Sequence, residues 1–218
     1  MAISKIRVLI ADDHLMVRQG LVSMLNTQPE IEVVGEASDG QELIELVGTL
    51  RPGIVLADIN LPKLDGIEAT KLIRRDYPDI RMVLLSDGAS SPIIIRALRK
   101  GALGYLVRTE DFKQVLDALK TVSTGKRFLS SQVSDHIIDA VIAGKSMDDN
   151  LDERLSDREL EILKLVAEGN TSADIAEKLE ISKRTAETHR MNIMRKLGIN
   201  SQLEIVRLAF RNGLIPLE

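Results

Sequence analysis

The sequence predicts an α/β protein: a doubly wound, five-stranded parallel sheet (flavodoxin-like), joined to a second, all-α domain of four helices. Three observations carry that expectation. Short apolar runs alternate with amphipathic stretches five times between Lys5 and Thr124. Within each run the apolar residues are nearly continuous, as in strands covered by helices on both faces. Beyond Leu155 the strand-like runs stop, and the remaining segments carry a helical period bounded by capping residues.

In chain order, the expected strands are 6–11, 31–37, 54–57, 80–85 and 103–107, and the expected helices between them are about 15–27, 40–50, 66–76, 91–100 and 110–124. Parallel neighbours need crossover helices, so βα units in series build one sheet with helices on both sides. Residues 131–143 suit one further amphipathic helix, and the polar run from Gly144 to Arg154 has no period and reads as a linker. After it, Ser156-x-x-Glu159 and Ser201-x-x-Glu204 are capping-box patterns, in which each side chain satisfies an unpaired backbone donor at a helix start. Gly169 and Gly198 stand where helices should end. The helices expected here are 157–168, 172–179, 183–197 and 202–212.

Composition narrows the functional classes. With 218 residues, 44% hydrophobic and 28% charged, the chain fits one large or two modest globular domains. It holds no apolar run near the 18 residues of a membrane span. Met1-Ala2-Ile3-Ser4-Lys5 lacks signal-peptide anatomy, and cysteine is absent, so disulfides and thiolate metal sites are excluded. The expectation is a cytoplasmic protein without a membrane partner. The net charge of −4 hides a local excess: between Ser182 and Leu197 stand Lys183, Arg184, Arg190, Arg195 and Lys196 against Glu187 alone. A phosphate backbone meets this local field rather than the total.

Acids at strand ends are the main chemical signal. Asp12 and Asp13 end the first strand, Asp58 ends the third, Ser86 the fourth, and Arg108 follows the fifth. In strand order 2-1-3-4-5 all of them converge beyond one edge of the sheet, near the point where strand order reverses. Converging carboxylates raise one another's pKa unless a cation neutralises them, and Mg2+ suits such hard oxygen ligands. Asp12, Asp13, Asp58 and the backbone carbonyl of Asn60 are the candidate metal set. With Asp58 as nucleophile, attack on a phosphodonor would give an aspartyl phosphate. Ser86 could donate to its oxygens, and Arg108 could supply a bidentate cation.

The second signal is the basic helix. Ala186, Ile193 and Leu197 form its core stripe, while Ser182 caps it. A helix of this length, braced by the short helix before it, fits the major groove of double-stranded DNA. Lys183, Arg184, Arg190, Arg195 and Lys196 would meet phosphates, whereas Thr185, Glu187, Thr188 and Met191 lie on or beside the exposed face. Glu187 and Thr188 are the expected base readers. The histidines, His14, His136 and His189, are scattered and suggest no histidine metal site.

Both segments resemble known families. Residues 5–124 resemble a two-component response-regulator receiver domain through Asp12-Asp13, the run Asp58-Ile59-Asn60-Leu61-Pro62-Lys63-Leu64-Asp65-Gly66, Ser86, and Gly101 to Arg108. The family has lysine where this chain has Arg108, and Asp87 adds an acid beside Ser86. The segment from Leu155 onward resembles the LuxR-type helix-turn-helix, through Leu155-Ser156-x-Arg158-Glu159-x-Glu161-Ile162-Leu163 and Thr185 to Leu197, with Ala186 where valine is common. Together they resemble the NarL/FixJ family of transcription regulators. The resemblance divides the chain into a receiver (1–125), a linker with one helix (126–154) and a DNA-binding domain (155–218).

It also implies that a sensor histidine kinase phosphorylates Asp58, that Ser86 moves toward the phosphoryl group while Tyr105 turns inward, and that a homodimer binds DNA. The product is a changed shape, so the expectation is a regulator and not an enzyme. Two other readings are a phosphorylation-independent DNA-binding regulator, whose receiver serves dimerisation or ligand sensing, and a magnesium-dependent phosphatase with an aspartyl nucleophile. The phosphatase needs an acid two residues after Asp58, where this chain has Asn60.

Overall fold

Alternation along each strand sorts the side chains of the sheet onto two helical layers. The computed structural model describes residues 5–88, 90–142, 151–212 and 214–215. The chain divides into two compact units, Met1–Ala140 and Val141–Glu218. Residues 1–4 and the polar run 144–150, read above as the chain start and the linker, lie outside the described residues.

The first unit runs β1 (Ile6–Ala11), α1 (Leu15–Asn26), β2 (Ile31–Ala37), α2 (Gly40–Leu50), β3 (Ile54–Asp58), α3 (Gly66–Asp76), β4 (Arg81–Ser86), α4 (Ser91–Lys100), β5 (Gly104–Val107), α5 (Phe112–Ser123), β6 (Phe128–Leu129) and α6 (Ser131–Ile142). The strands pair in parallel in the order β2-β1-β3-β4-β5-β6. The expected order 2-1-3-4-5 holds, with one strand added at its edge. That strand pairs only Phe128 with Gly104 and Leu129 with Tyr105, too few residues to show a period in sequence. On one face Leu9, Val55, Ala57, Leu84 and Tyr105 pack with Leu43 of α2, Ile73 of α3 and Ile94 of α4. On the other, Val8, Ile10, Leu56, Val83 and Leu106 pack with Leu25 of α1 and with Val115, Leu119 and Val122 of α5. Val133 of α6 joins the first face, and the Ser91 hydroxyl donates to the His136 carbonyl, so this part of the expected linker is fastened to the sheet.

The second unit comprises α7 (Leu151–Arg154), α8 (Asp157–Ala167), α9 (Ser172–Lys178), α10 (Lys183–Leu197) and α11 (Gln202–Arg211). The short α7 falls where sequence suggested polar linker. Its Leu151 is buried with Leu155, and one apolar residue per turn is too little to register as a helical pattern. Both expected capping boxes form, and Thr171 with Asp174 makes a third at the start of α9. Ile162, Leu163, Val166, Ile175, Ala186, Ile193, Ile205 and Ala209 make the core.

Candidate functional site

Between β1 and β3 the strand order reverses, so the loops after these strands open on a common crevice. Asp12 and Asp58 stand there with 0% and 1% of their surface exposed. The oxygens of Asp12, Asp13 and Asp58, with a ring nitrogen of His14, lie within 4.8 Å of one another. The α3 N-terminus is drawn tightly against this edge. Gly66 N–H donates to the Ile59 carbonyl at 2.8 Å, and a Cβ on Gly66 would overlap the Asp58 carbonyl oxygen, so only glycine allows that approach.

Arg108 enters the same crevice from the end of β5. Its backbone N–H donates to the Ser86 carbonyl at 2.8 Å, which fixes its base. Its Nη2 lies 2.5 Å from Asp58 Oδ2 and 2.9 Å from Asp12 Oδ2, and its Nε lies 3.2 Å from Asp87 Oδ1. Burial still dominates Asp58 and pushes its carboxyl up to about 6, since Arg108 and the Asn60 backbone N–H offset only part of the lost hydration and Asp12 adds repulsion. Asp58 Oδ1 and Asp12 Oδ2 are buried without a hydrogen-bond partner. The Asn60 backbone N–H donates to the Asp58 carboxylate.

Ser86 ends β4 and is 6% exposed, with its Oγ accepting from Gly88 N–H at 3.3 Å. Tyr105 is fully buried and already points inward. Burial pushes its phenol up to about 12, although its hydroxyl lies near Ser86 without a well-aligned bond.

Sequence spacing missed two neighbours, His14 and Arg18, and left the direction of Asp87 open. His14 Nδ1 lies 2.6 Å from Asp13 Oδ1, and its backbone N–H donates to Asp12 Oδ1 at 2.8 Å. Arg18 Nη1 donates to the Asp12 carbonyl. Asp87 was visible as an acid, but its direction toward Arg108 was not. Arg18 stands six residues after Asp12, so no local spacing pointed to its contact, and none pointed to His14.

The basic helix α10 presents a different picture. Ala186, Ile193 and Leu197 face the core. At about 100° per residue, Arg184, Thr188, Met191 and Arg195 fall on the opposite side, and all four are exposed. Lys183 and Glu187 flank that face, exposed and 4.0 Å apart. Thr188 Oγ1 donates to the Arg184 carbonyl, and Thr185 is engaged in the Ser182 cap. Two expected DNA contacts also have partners within this unit. Arg190 is half-buried and donates to Ser172 Oγ at 3.1 Å, tying α10 to α9. Lys196 Nζ lies 2.6 Å from Glu159 Oε2, and Arg154 donates to the Lys196 carbonyl. Burial opposes ionisation of Glu159, yet Lys196 and Ser156 hold its carboxyl below the usual range.

A parallel sheet with a buried aspartate at its switch point, joined to helices carrying a basic, outward-facing helix, defines a response regulator with a DNA-binding output domain. Residues 8–120 match the response regulator receiver domain, and residues 153–209 match the LuxR family of bacterial regulatory proteins. The chain is 39% identical to the transcriptional regulatory protein LiaR of Bacillus subtilis, covering 96% of this chain and 99% of that one. It is 36% identical to the response regulator VraR of Staphylococcus aureus, covering 96% and 99%. Among solved structures, it resembles RcsB of Salmonella enterica serovar Typhimurium bound to the promoter rprA in the presence of the phosphomimetic BeF3−, with a TM-score of 0.64, 26% identity, and coverage of 94% and 98%. The chain belongs to the NarL/FixJ (LuxR-type) family of two-component response regulators.

Proposed function

We propose that this regulator binds double-stranded DNA and controls transcription under a phosphoryl switch at Asp58, with a sensor histidine kinase as donor. The carrying observation is Asp58 itself: an acid 1% exposed, at the switch point of a parallel sheet, with an unpartnered oxygen. A carboxylate oxygen of Asp58 attacks phosphorus as the bond to the donor nitrogen breaks, and that nitrogen keeps the electron pair. Arg108 beside Asp58 offsets charge on the phosphoryl oxygens, and Ser86 donates to them. Tyr105, inward next to Ser86, registers the shift of that hydroxyl.

The donor set fits a hard divalent cation. Asp12, Asp13 and Asp58 gather oxygens within 4.8 Å, and the buried Asp58 Oδ1 has no hydrogen-bond partner. These residues would hold Mg2+, which supplies positive charge that eases the approach of the phosphodonor to an acidic pocket.

In the output unit, Lys183, Arg184 and Arg195 meet phosphates, while Glu187, Thr188 and Met191 face base edges. A homodimer would place two α10 helices about one DNA turn apart. The receiver role rests in 1–125 and the DNA-binding role in 155–218, with 126–154 connecting them. The product is a conformational change, so the chain acts as a regulator rather than an enzyme. No helix among the described residues is long and apolar enough to cross a membrane, and a cytoplasmic location suits this role.

The test is intact mass after treatment with a small phosphodonor and Mg2+, with DNA retardation run in parallel. An adduct of about 80 Da on the wild type, absent from Asp58→Asn and accompanied by tighter DNA binding, is expected. Unchanged mass with intact DNA binding would instead establish the phosphorylation-independent reading, which the Arg108 ion pair at Asp58 favours. Steady phosphate release would establish the phosphatase.

A further inference from the structure

We infer that Asp87 is a positioning residue that holds Arg108 across Asp12 and Asp58, so that Arg108 and a divalent cation compete for the same carboxylates. This rests on the reading of the pocket as metal-dependent. The distances carry it. One nitrogen of Arg108 lies within 2.9 Å of an oxygen on each of two buried acids, and its Nε stands 3.2 Å from Asp87 Oδ1. The guanidinium spans the three carboxylates with two nitrogens held in one plane, Nη2 toward Asp12 and Asp58 and Nε toward Asp87, a fixed spacing that the compact ammonium of a lysine lacks.

Arg108 is largely covered, with 16% of its side chain exposed, whereas Asp87 is 67% exposed. Nothing else in the described residues pairs with Asp87, and Arg108 is the cation that reaches it. The other charged groups at the pocket are accounted for. His14 faces Asp13, and Arg18 holds the Asp12 carbonyl and Glu36. Arg108 is therefore the internal counter-ion of Asp12 and Asp58, and it occupies oxygens that a metal needs. Binding of the cation requires Arg108 to release at least one of them. Asp87 opposes that release from outside the pocket.

The test exploits a reversal of sign. Mg2+ is titrated calorimetrically into full-length wild type, Asp87→Asn and Arg108→Lys, without phosphodonor. Removing a negative charge near a cation site weakens the site by simple Coulomb attraction, so Asp87→Asn should bind Mg2+ more weakly if Asp87 merely adds to the field. Positioning predicts the opposite: Asp87→Asn binds Mg2+ more tightly, because Arg108 is freed. Arg108→Lys keeps the charge but removes the fork, and its Mg2+ affinity should rise by about tenfold, equivalent to about 1.4 kcal/mol.

Weaker binding by Asp87→Asn, unchanged affinity in Arg108→Lys, or no measurable binding in any variant would overturn the inference. The phosphoryl adduct is measured separately by mass. Affinities that shift as stated without any adduct leave this inference standing and remove the proposed function. An adduct with unshifted affinities does the reverse.

Discussion

The acidic crevice and the basic helix handle charge in opposite ways. In the crevice Asp12 and Asp58 are buried and Arg108 is largely covered, and these three engage one another and the exposed Asp87. On α10 the outward residues Arg184, Met191 and Arg195 are exposed, and the flanking pair Lys183 and Glu187 is separated by 4.0 Å. Buried charge must find partners inside the molecule, so its role is written in distances. Exposed charge stays solvated and available, so its role is written in its placement on a face. The same helix shows both rules, since Lys196 lies against buried Glu159 while Arg195 next to it lies outside.

The strongest way to break this contrast is at the backbone of the crevice. Gly66→Ala forces a Cβ into the Asp58 carbonyl and should destabilise the first unit by more than about 3 kcal/mol, read as a drop in thermal midpoint. Next, Ile193→Ala and Met191→Ala probe the two sides of α10. Ile193 is 1% exposed and its truncation should cost about 2–4 kcal/mol, whereas Met191, 65% exposed, should cost under about 0.5 kcal/mol while relaxing base preference.

Charge removal on the two sides of the helix should also diverge. Arg195→Ala should weaken DNA binding uniformly and reduce the salt slope by about 1. Lys196→Ala should act mainly on stability, by about 1–2 kcal/mol because the lysine is partly exposed. Glu159 has a lowered carboxyl pKa, so this ion pair stabilises the fold above the ordinary carboxylate range and loses that contribution as pH falls through the lowered value. The Lys196→Ala penalty should fade on acidification, as urea unfolding at stepped pH would show.

The most specific effect concerns Asp58. Its carboxyl is raised from 3.8 to about 6, so ionisation disfavours the folded state increasingly as pH rises across that interval. Asp58→Asn should equal the wild type below pH 3.8 and exceed it in stability by about 1–3 kcal/mol above pH 6. Phosphoryl acceptance at low Mg2+ should rise through the same pH range, because the ionised carboxylate is the nucleophile. Equal stabilities at every pH would show that Asp58 is better solvated than its 1% exposure implies.

Most of the architecture was legible because it rests on local regularities. Continuous apolar runs marked β1 to β5, and Ser156 and Ser201 with their glutamates marked two helix starts. The boundary of β6 was not legible, since two residues carry no period. Thr171 with Asp174 escaped because the shorter acid departs from the usual capping box, although the geometry is the same. At the site, residue types and strand ends brought Asp12, Asp58, Ser86 and Arg108 together before any coordinates. What could not be read was direction. The pairing of Lys196 depends on Glu159, distant in the chain, and the bridging of Arg108 depends on three separate loops meeting.

The two-residue β6 has a further consequence, for the solution behaviour of the protein. Every residue of β5 is buried, and an open edge along it would offer an apolar template for another chain. Phe128 and Leu129 cover part of that edge but are too short to recruit a partner strand in turn. At the opposite edge, β2 carries Glu32 and Glu36 outward, and its register with β1 slips between Val8 and Leu9. Each margin of the sheet is thus protected by a different device, one by brevity and the other by charge and a break in pairing. This protein should therefore resist strand-to-strand aggregation even where its local concentration is high.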